Sequence, residues 1–389
     1  MGLSSRFAGA LGFLVMVGVS GFAAGCRDSQ AAPLHEGSGA PATPGVGDSK
    51  APDSKPSDAK GDGAEAKGGV EAPSPAGANE GASPDGVLTL SAVGDCTLGA
   101  DYRVRGAEGT FDMAMRTWKD DAAAFSGVVS VLGKDDLTIA NLEGPLSRAK
   151  PAVNHTFVFN GDPEYARVLV KGSVEMVNLA NNHAGDFGPD GMKQTIESVE
   201  KAGVGSFGNG RVDVRTVKGI EVVNIGYLGG GKGTRERVVK DVKKHKRPDN
   251  LVLVSFHWGV EGMNVPTDDQ RTMARAVIDA GGDLVIGHHP HVLQGIETYK
   301  GHHIVYSLGN FVFGGHSNPA DKDSMIYQEV FAKEGGVVVT KESRILPVRI
   351  SSVTTHNDFR PVLLEGEEKD RVLAKVKDFS DKLVPKKKN

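Results

Sequence analysis

Three histidines fall within four positions in the run Gly287-His288-His289-Pro290-His291, and His183 and His257 each close a short apolar run elsewhere. Asp95, Asn141 with Glu143, and Asn181 with Asn182 stand in the same way at the ends of apolar runs. Imidazole nitrogens mixed with carboxylate and amide oxygens suit zinc, manganese or iron. A set of this size is enough for a two-cation site, whose ions sit about 3.5–4 Å apart and polarise a phosphoryl or acyl oxygen. Taken singly, most of these motifs have plain explanations. Gly94-Asp95 fits a turn, Asn181-Asn182-His183 a hydrogen-bonded loop, and His257 beside Trp258 a packed core histidine. The histidine cluster is the one that packing explains least.

Something must hold these groups together. Runs of strand length and composition are expected at 87–93, 137–140, 176–180, 251–256, 284–286 and 303–306, each followed at once by one of the polar groups. Helical patterns lie between them at 163–171, 189–202 and 267–280, the second with Pro189 at its start and Gly203 just past its end. Alternating strands and helices predict an α/β fold. In open α/β sheets the carboxyl ends of the strands are where ligands bind. Segments 324–332 and 336–352 read as antiparallel strands, so the sheets are expected to be mixed. In the charged stretch 367–388, Val372, Val376, Phe379 and Leu383 recur at spacings of three and four, which predicts a surface helix with one apolar stripe.

The motifs GD, NLE, NLANNH-x-x-D, HWG-x-E, GHHPH and SLGNFVF, in that order over 88–313, resemble the poly-gamma-glutamate capsule biosynthesis (CapA) family. That family is similar to calcineurin-like metallophosphatases. The resemblance implies a four-layer α/β/β/α sandwich and a cofactor of one or two divalent metal ions (Zn, Mn or Fe). It implies Asp95, Glu143, Asn182, His257, His289 and His291 as metal ligands, with His288 able to replace His289 in that register. His183 matches a general acid, and Asp186 either orients its imidazole or caps the following helix. Asn141, Glu261 and Asn310 are further candidates; Glu261 either meets substrate or sits in solvent. Two departures stand out, since Asp95-Cys96-Thr97 replaces an Asp-x-His and Asn141-Leu142-Glu143 replaces a Gly-Asp-x-x-Asp. Cys96 is either a soft ligand or a small buried filler. Two functions follow from the resemblance: a metal-dependent hydrolase of phosphoesters or gamma-glutamyl bonds, and a non-catalytic accessory of polymer assembly or export.

The chain of 389 residues carries a net charge of −4, which gives no argument for nucleic acid as a partner. With only Cys26 and Cys96, a disulfide framework is excluded as the basis of the fold. Residues 1–26 hold Arg6, an apolar run over 7–19 and small residues before Cys26, as in a secretory signal. Ala23-Ala24-Gly25-Cys26 resembles a bacterial lipobox, whose cysteine is lipidated. The remaining readings are an ordinary cleaved signal and a retained anchor; all three place the rest of the chain outside the cytoplasm. Residues 27–85, rich in Ala, Gly, Pro, Ser, Asp and Lys, are expected to be a disordered tether. A CapA-like domain over 86–352 and a C-terminal extension over 353–389 complete the expected organisation. The implied partners are the membrane through the lipid on Cys26, an anionic polymer or phosphoester substrate, and membrane polymer synthase subunits.

Overall fold

The structure, a computed structural model, describes residues 86–230 and 233–384. The signal-like segment, Cys26 and the expected tether lie outside the described residues. Among the described residues no helix is long and apolar enough to cross a membrane.

In chain order the strands are β1 (Val87–Thr97), β2 (Ala100–Asp101), β3 (Leu137–Leu142), β4 (Phe159–Asn160), β5 (Met176–Asn178), β6 (Gly205–Phe207), β7 (Val212–Val217) and β8 (Ile220–Leu228). They continue with β9 (Asn250–His257), β10 (Leu284–His288), β11 (Ile296–Tyr299), β12 (His302–Val305), β13 (Asn310–Phe313), β14 (Asp323–Glu334), β15 (Val337–Arg349) and β16 (Val362–Leu363). The helices are α1 (Phe111–Trp118), α2 (Val129–Leu132), α3 (Ala166–Lys171), α4 (Gly188–Ala202), α5 (Thr234–His245), α6 (Asp268–Asp279) and α7 (Gly366–Asp381).

Two mixed sheets face each other. The first runs β16-β15-β14-β1-β3-β5-β6, with β13 also pairing β1; the second runs β11-β12-β10-β9-β8-β7. Three apolar layers account for the stacking. Val93, Ala140, Leu142 and Val177 pack with Phe111, Phe125, Leu169 and Val199 on the helical side of the first sheet. Leu88, Leu90, Leu137, Ile139, Leu251, Leu253, Leu284 and Ile286 fill the space between the sheets. Val252, Val254 and Val285 meet Val238 and Val242 of α5 and Ala274 and Val277 of α6 outside the second sheet. This is the four-layer α/β/β/α arrangement that the resemblance implied.

Side-chain alternation along these strands decides where the polar groups point. On β3, Leu137 and Ile139 face the opposite sheet, so Asn141 continues that face. By the same parity His257 follows Leu251 and Leu253 on β9, and His288 follows Leu284 and Ile286 on β10. On β1 the register shifts between Ala92 and Asp95. Leu88, Leu90 and Ala92 face the inter-sheet core, yet Cys96 faces the helices. The bulge reverses the parity and brings Asp95 onto the inter-sheet side. Here β1 also changes partner: β14 pairs its first half, and β13 pairs it in parallel from Asp95, opposite Asn310.

Two expected helices have different starts. The pattern at 163–171 is a 3₁₀ turn (Pro163–Tyr165) leading into α3. For α4 the N-cap is Phe187, with no side-chain cap bond, so Asp186 is not a capping residue. The expected C-terminal helix is present, and its Val372 and Val376 join the inter-sheet core.

Candidate metal centre

At the carboxyl ends of β1, β3, β9 and β10 the inter-sheet layer turns from Leu and Ile to Asp, Asn and His. Asp95, Asn141, Glu143, His257 and His288 are all fully buried there. Burying charged groups is unfavourable unless partners compensate. Asp95 Oδ1 accepts from Asn141 Nδ2 at 2.9 Å and lies 3.2 Å from His288 Nδ1. Its Oδ2 lies 3.3 Å from His291 Nδ1 and accepts from the His289 backbone at 3.3 Å. Burial alone would raise Asp95, but contact with His288 and His291 outweighs it and holds the carboxyl well below its ordinary range.

Glu143 lacks such support. Both of its carboxylate oxygens are buried without a hydrogen-bond donor. The nearest nitrogens are His257 Nε2 at 3.6 Å and His291 Nε2 at 3.8 Å from Oε1. Burial pushes its pKa up to about 7. His291 moves the other way: burial lowers it, yet Glu143 and Asp95 raise it to about 10. Burial holds His257 well below its ordinary value, and His289 is lowered by burial and by the neighbouring His291. The surroundings thus contain two carboxylates, a strongly basic imidazole and two imidazoles kept neutral.

These features fit a divalent cation. An orphaned buried carboxylate facing imidazole nitrogens is what a cation would satisfy. One ligand atom each from Asp95, Glu143 and His291 lie within 4.8 Å of one another, as do those from Glu261, His289 and His291. His289 Nδ1 stands 3.0 Å from His257 Nε2, so three histidines converge on the same space.

Asn141 is the hub rather than a free ligand. Its Nδ2 reaches Asp95 and lies 3.2 Å from His257 Nδ1, while its Oδ1 accepts from Asn178 at 3.1 Å and Asn181 at 3.4 Å. Asn310 braces His291, its Oδ1 2.8 Å from the ring Nδ1. Asn182 is exposed, whereas its neighbour Asn181 is buried, donates to the Leu142 carbonyl at 2.8 Å and leaves its own Oδ1 without a partner. Asn178 is not among the candidates that the motifs single out. The parity of β5, with Met176 on the inter-sheet face, is the signal that places Asn178 there. Cys96 packs in the helical-side core, and burial pushes its thiol up to about 12, so it is filler. Thr97, two positions after Asp95, has a buried hydroxyl without a partner.

His183 lies beside this group on the loop after β5. Its Nδ1 is 2.9 Å from Asp186 Oδ2, which also accepts from the Phe159 backbone at 2.7 Å. Phe159 packs on the ring, centroids 4.2 Å apart. Burial lowers the His183 pKa, but Asp186 and Glu143 more than offset this and raise it above its ordinary value.

A family model described as bacterial capsule synthesis protein PGA_cap matches residues 89–315 of the chain. The PGA biosynthesis protein CapA of Bacillus subtilis (strain 168) is 31% identical over 297 residues, covering 69% of this chain and 73% of that protein. The capsule biosynthesis protein CapA of Bacillus anthracis is 29% identical over 281 residues, 65% of this chain and 66% of that protein. Among solved structures, the calcineurin-like phosphoesterase YfkN from Bacillus subtilis aligns with a TM-score of 0.43 at 14% identity, covering 76% of this chain and 97% of that one.

Proposed function

We propose, from the premise that this chain belongs to the bacterial capsule synthesis protein PGA_cap family, that it serves capsule or polyglutamate biosynthesis through a divalent-cation centre at Asp95, Glu143, His257, His289 and His291. The family match and the names of the Bacillus relatives support the biosynthetic role. The orphaned Glu143 carboxylate carries the cation assignment. The signal-like start and the lipobox-like run ending at Cys26 support export to the cell envelope with a lipid anchor at the membrane. Membrane polymer synthase subunits are then its natural neighbours, and an anionic polymer or phosphoester is its substrate.

The chemistry is metal-dependent hydrolysis. A bound divalent cation supplies Lewis acidity toward a phosphoryl or acyl oxygen. Asp95 and Glu143 provide the negative charge that holds it, and His257 and His289, kept neutral by burial, offer lone pairs. His183 donates a proton to the leaving group, a role for which its raised pKa suits it. Asp186 fixes that ring through Nδ1 and ties it to the Phe159 backbone. Phe159 shields one face of the imidazole from water.

The test is turnover of p-nitrophenyl phosphate and of a gamma-linked glutamyl polymer by the metal-loaded full chain. A rate that tracks metal content and disappears in Glu143→Ala supports the hydrolase. Thr97 favours a second reading, because its hydroxyl gives no imidazole at that corner of the centre. In that reading the cations bind polymer carboxylates and no bond is cleaved. It predicts no turnover of either substrate, with polymer yield in cells lost on Glu143→Ala.

A further inference from the structure

We infer that Glu261 is a ligand of this centre, supplying with His289 and His291 an outer cation position distinct from the buried one at Asp95, Glu143 and His291. The inference rests on the reading of the site as a cation centre. Each of the two trios brings one ligand atom per residue within 4.8 Å of the others. They share His291, whose Nδ1 is engaged by Asn310 at 2.8 Å. Its Nε2, 3.8 Å from Glu143 Oε1, is therefore the one nitrogen that either position can use. Glu261 and His289 are the ligands that belong to the outer position alone.

The loop carrying Glu261 is fixed against the histidine loop on both sides of the carboxylate. Trp258 N donates to the His288 carbonyl at 3.0 Å, and Gly262 N donates to the Pro290 carbonyl at 2.8 Å. Further along, Gln294 Nε2 donates to the Met263 carbonyl at 2.7 Å and Asn264 Nδ2 to the Leu293 carbonyl at 3.0 Å. Gly259 at φ 90° and Gly262 at φ 74° bracket Glu261, in a left-handed conformation that glycine adopts without penalty. A Cβ at Gly259 would come within 2.7 Å of Gln270 Oε1.

On the opposing loop, His289 at φ 95° and His291 at φ 57° adopt positive φ without being glycine. Such backbone strain gathers at ligand-binding positions. Two strained imidazoles thus meet one carboxylate whose backbone is pinned to theirs. Glu261 is exposed while Asp95 and Glu143 are fully buried. An ion held by Glu261 would consequently be the one that an incoming anionic oxygen reaches first.

Manganese(II) titration of the metal-free full chain, followed by calorimetry and by elemental analysis of bound metal, tests this. Glu261→Gln is expected to weaken the weaker-bound or sole manganese at least about tenfold, with the thermal melt of the metal-free chain unchanged. An isotherm superimposable on wild type overturns the ligand role and leaves the buried centre standing. A wild-type chain that takes up neither manganese nor zinc overturns both.

Discussion

At the residue scale, the proposed function separates groups that would hold a cation from groups that would move a proton. His183 and Asp186 belong to the second set, joined at 2.9 Å. Within the hydrolase reading, His183→Ala is expected to cut turnover by about 10²–10⁴-fold while bound metal stays at the wild-type count. Asp186→Asn keeps the shape but loses the charge, and is expected to cost roughly 10–100-fold, as orienting partners typically do. Equal losses of metal and of rate in His183→Ala would assign that imidazole to the cation instead. Cys96 gives a cleaner contrast. Its thiol sits in the apolar core, so Cys96→Ala should lower stability by about 1 kcal/mol and leave metal affinity unchanged. A loss of metal in that variant, read by elemental analysis, would restore the thiol as a ligand.

At the element scale, the site is the carboxyl end of one inter-sheet layer, and close backbone approach keeps that end in place. A Cβ at Gly287 would meet the Tyr306 carbonyl oxygen at 1.9 Å, and one at Gly94 would meet that of Gly309 at 2.1 Å. Both contacts are with backbone, which cannot swing aside. Gly287→Ala is therefore expected to destabilise by about 3 kcal/mol or more and to weaken metal binding together with the fold. A wild-type denaturant midpoint for Gly287→Ala would show that the strands part without cost. The strands that carry Asp95, Asn141, His257 and His288 near their carboxyl ends are legible as apolar runs followed by polar groups. The two-sheet layering came from the resemblance, because periodicity alone does not say which strands share a sheet. Alternation also identifies the face, since Leu284 and Ile286 share parity with His288. It fails on β1, where the bulge before Asp95 inverts it. The hairpin of β7 and β8 is poorly legible in the sequence because β7 leaves Val212 and Val214 exposed, against the usual pattern. Helix α5 shows little apolar stripe in the sequence, since its buried Thr234, Val238 and Val242 are spaced by four among charged residues.

At the scale of the whole molecule, the two ends of the first sheet handle charge differently. At the carboxyl end, carboxylates meet imidazoles; at the amino end of β3, burial pushes Asp135 up to about 8 and Glu175 up to about 7. A six-residue strand separates the ends by roughly 20 Å, so the amino end reports on the fold and not on the site. For these two acids the folded state holds its proton more tightly than the unfolded chain. Their stabilising contribution is full below about pH 4 and is lost as pH rises through 7 and 8. Asp135→Asn keeps an acceptor for the Thr138 hydroxyl, now 2.7 Å from Asp135 Oδ2. It should raise the melting temperature at pH 8 relative to wild type and flatten its fall between pH 5 and 8. A wild-type slope in that variant would place the ionisation elsewhere. The proposed centre stands or falls with a cation satisfying Glu143, the buried carboxylate without a donor. The most direct test is the metal content of the full chain, purified without a metal-binding tag and reconstituted with zinc and manganese, beside Glu143→Ala. Stoichiometric divalent metal in wild type, lost in the variant while the metal-free melt is retained, is the predicted result; a wild-type chain that holds no metal after reconstitution would contradict it.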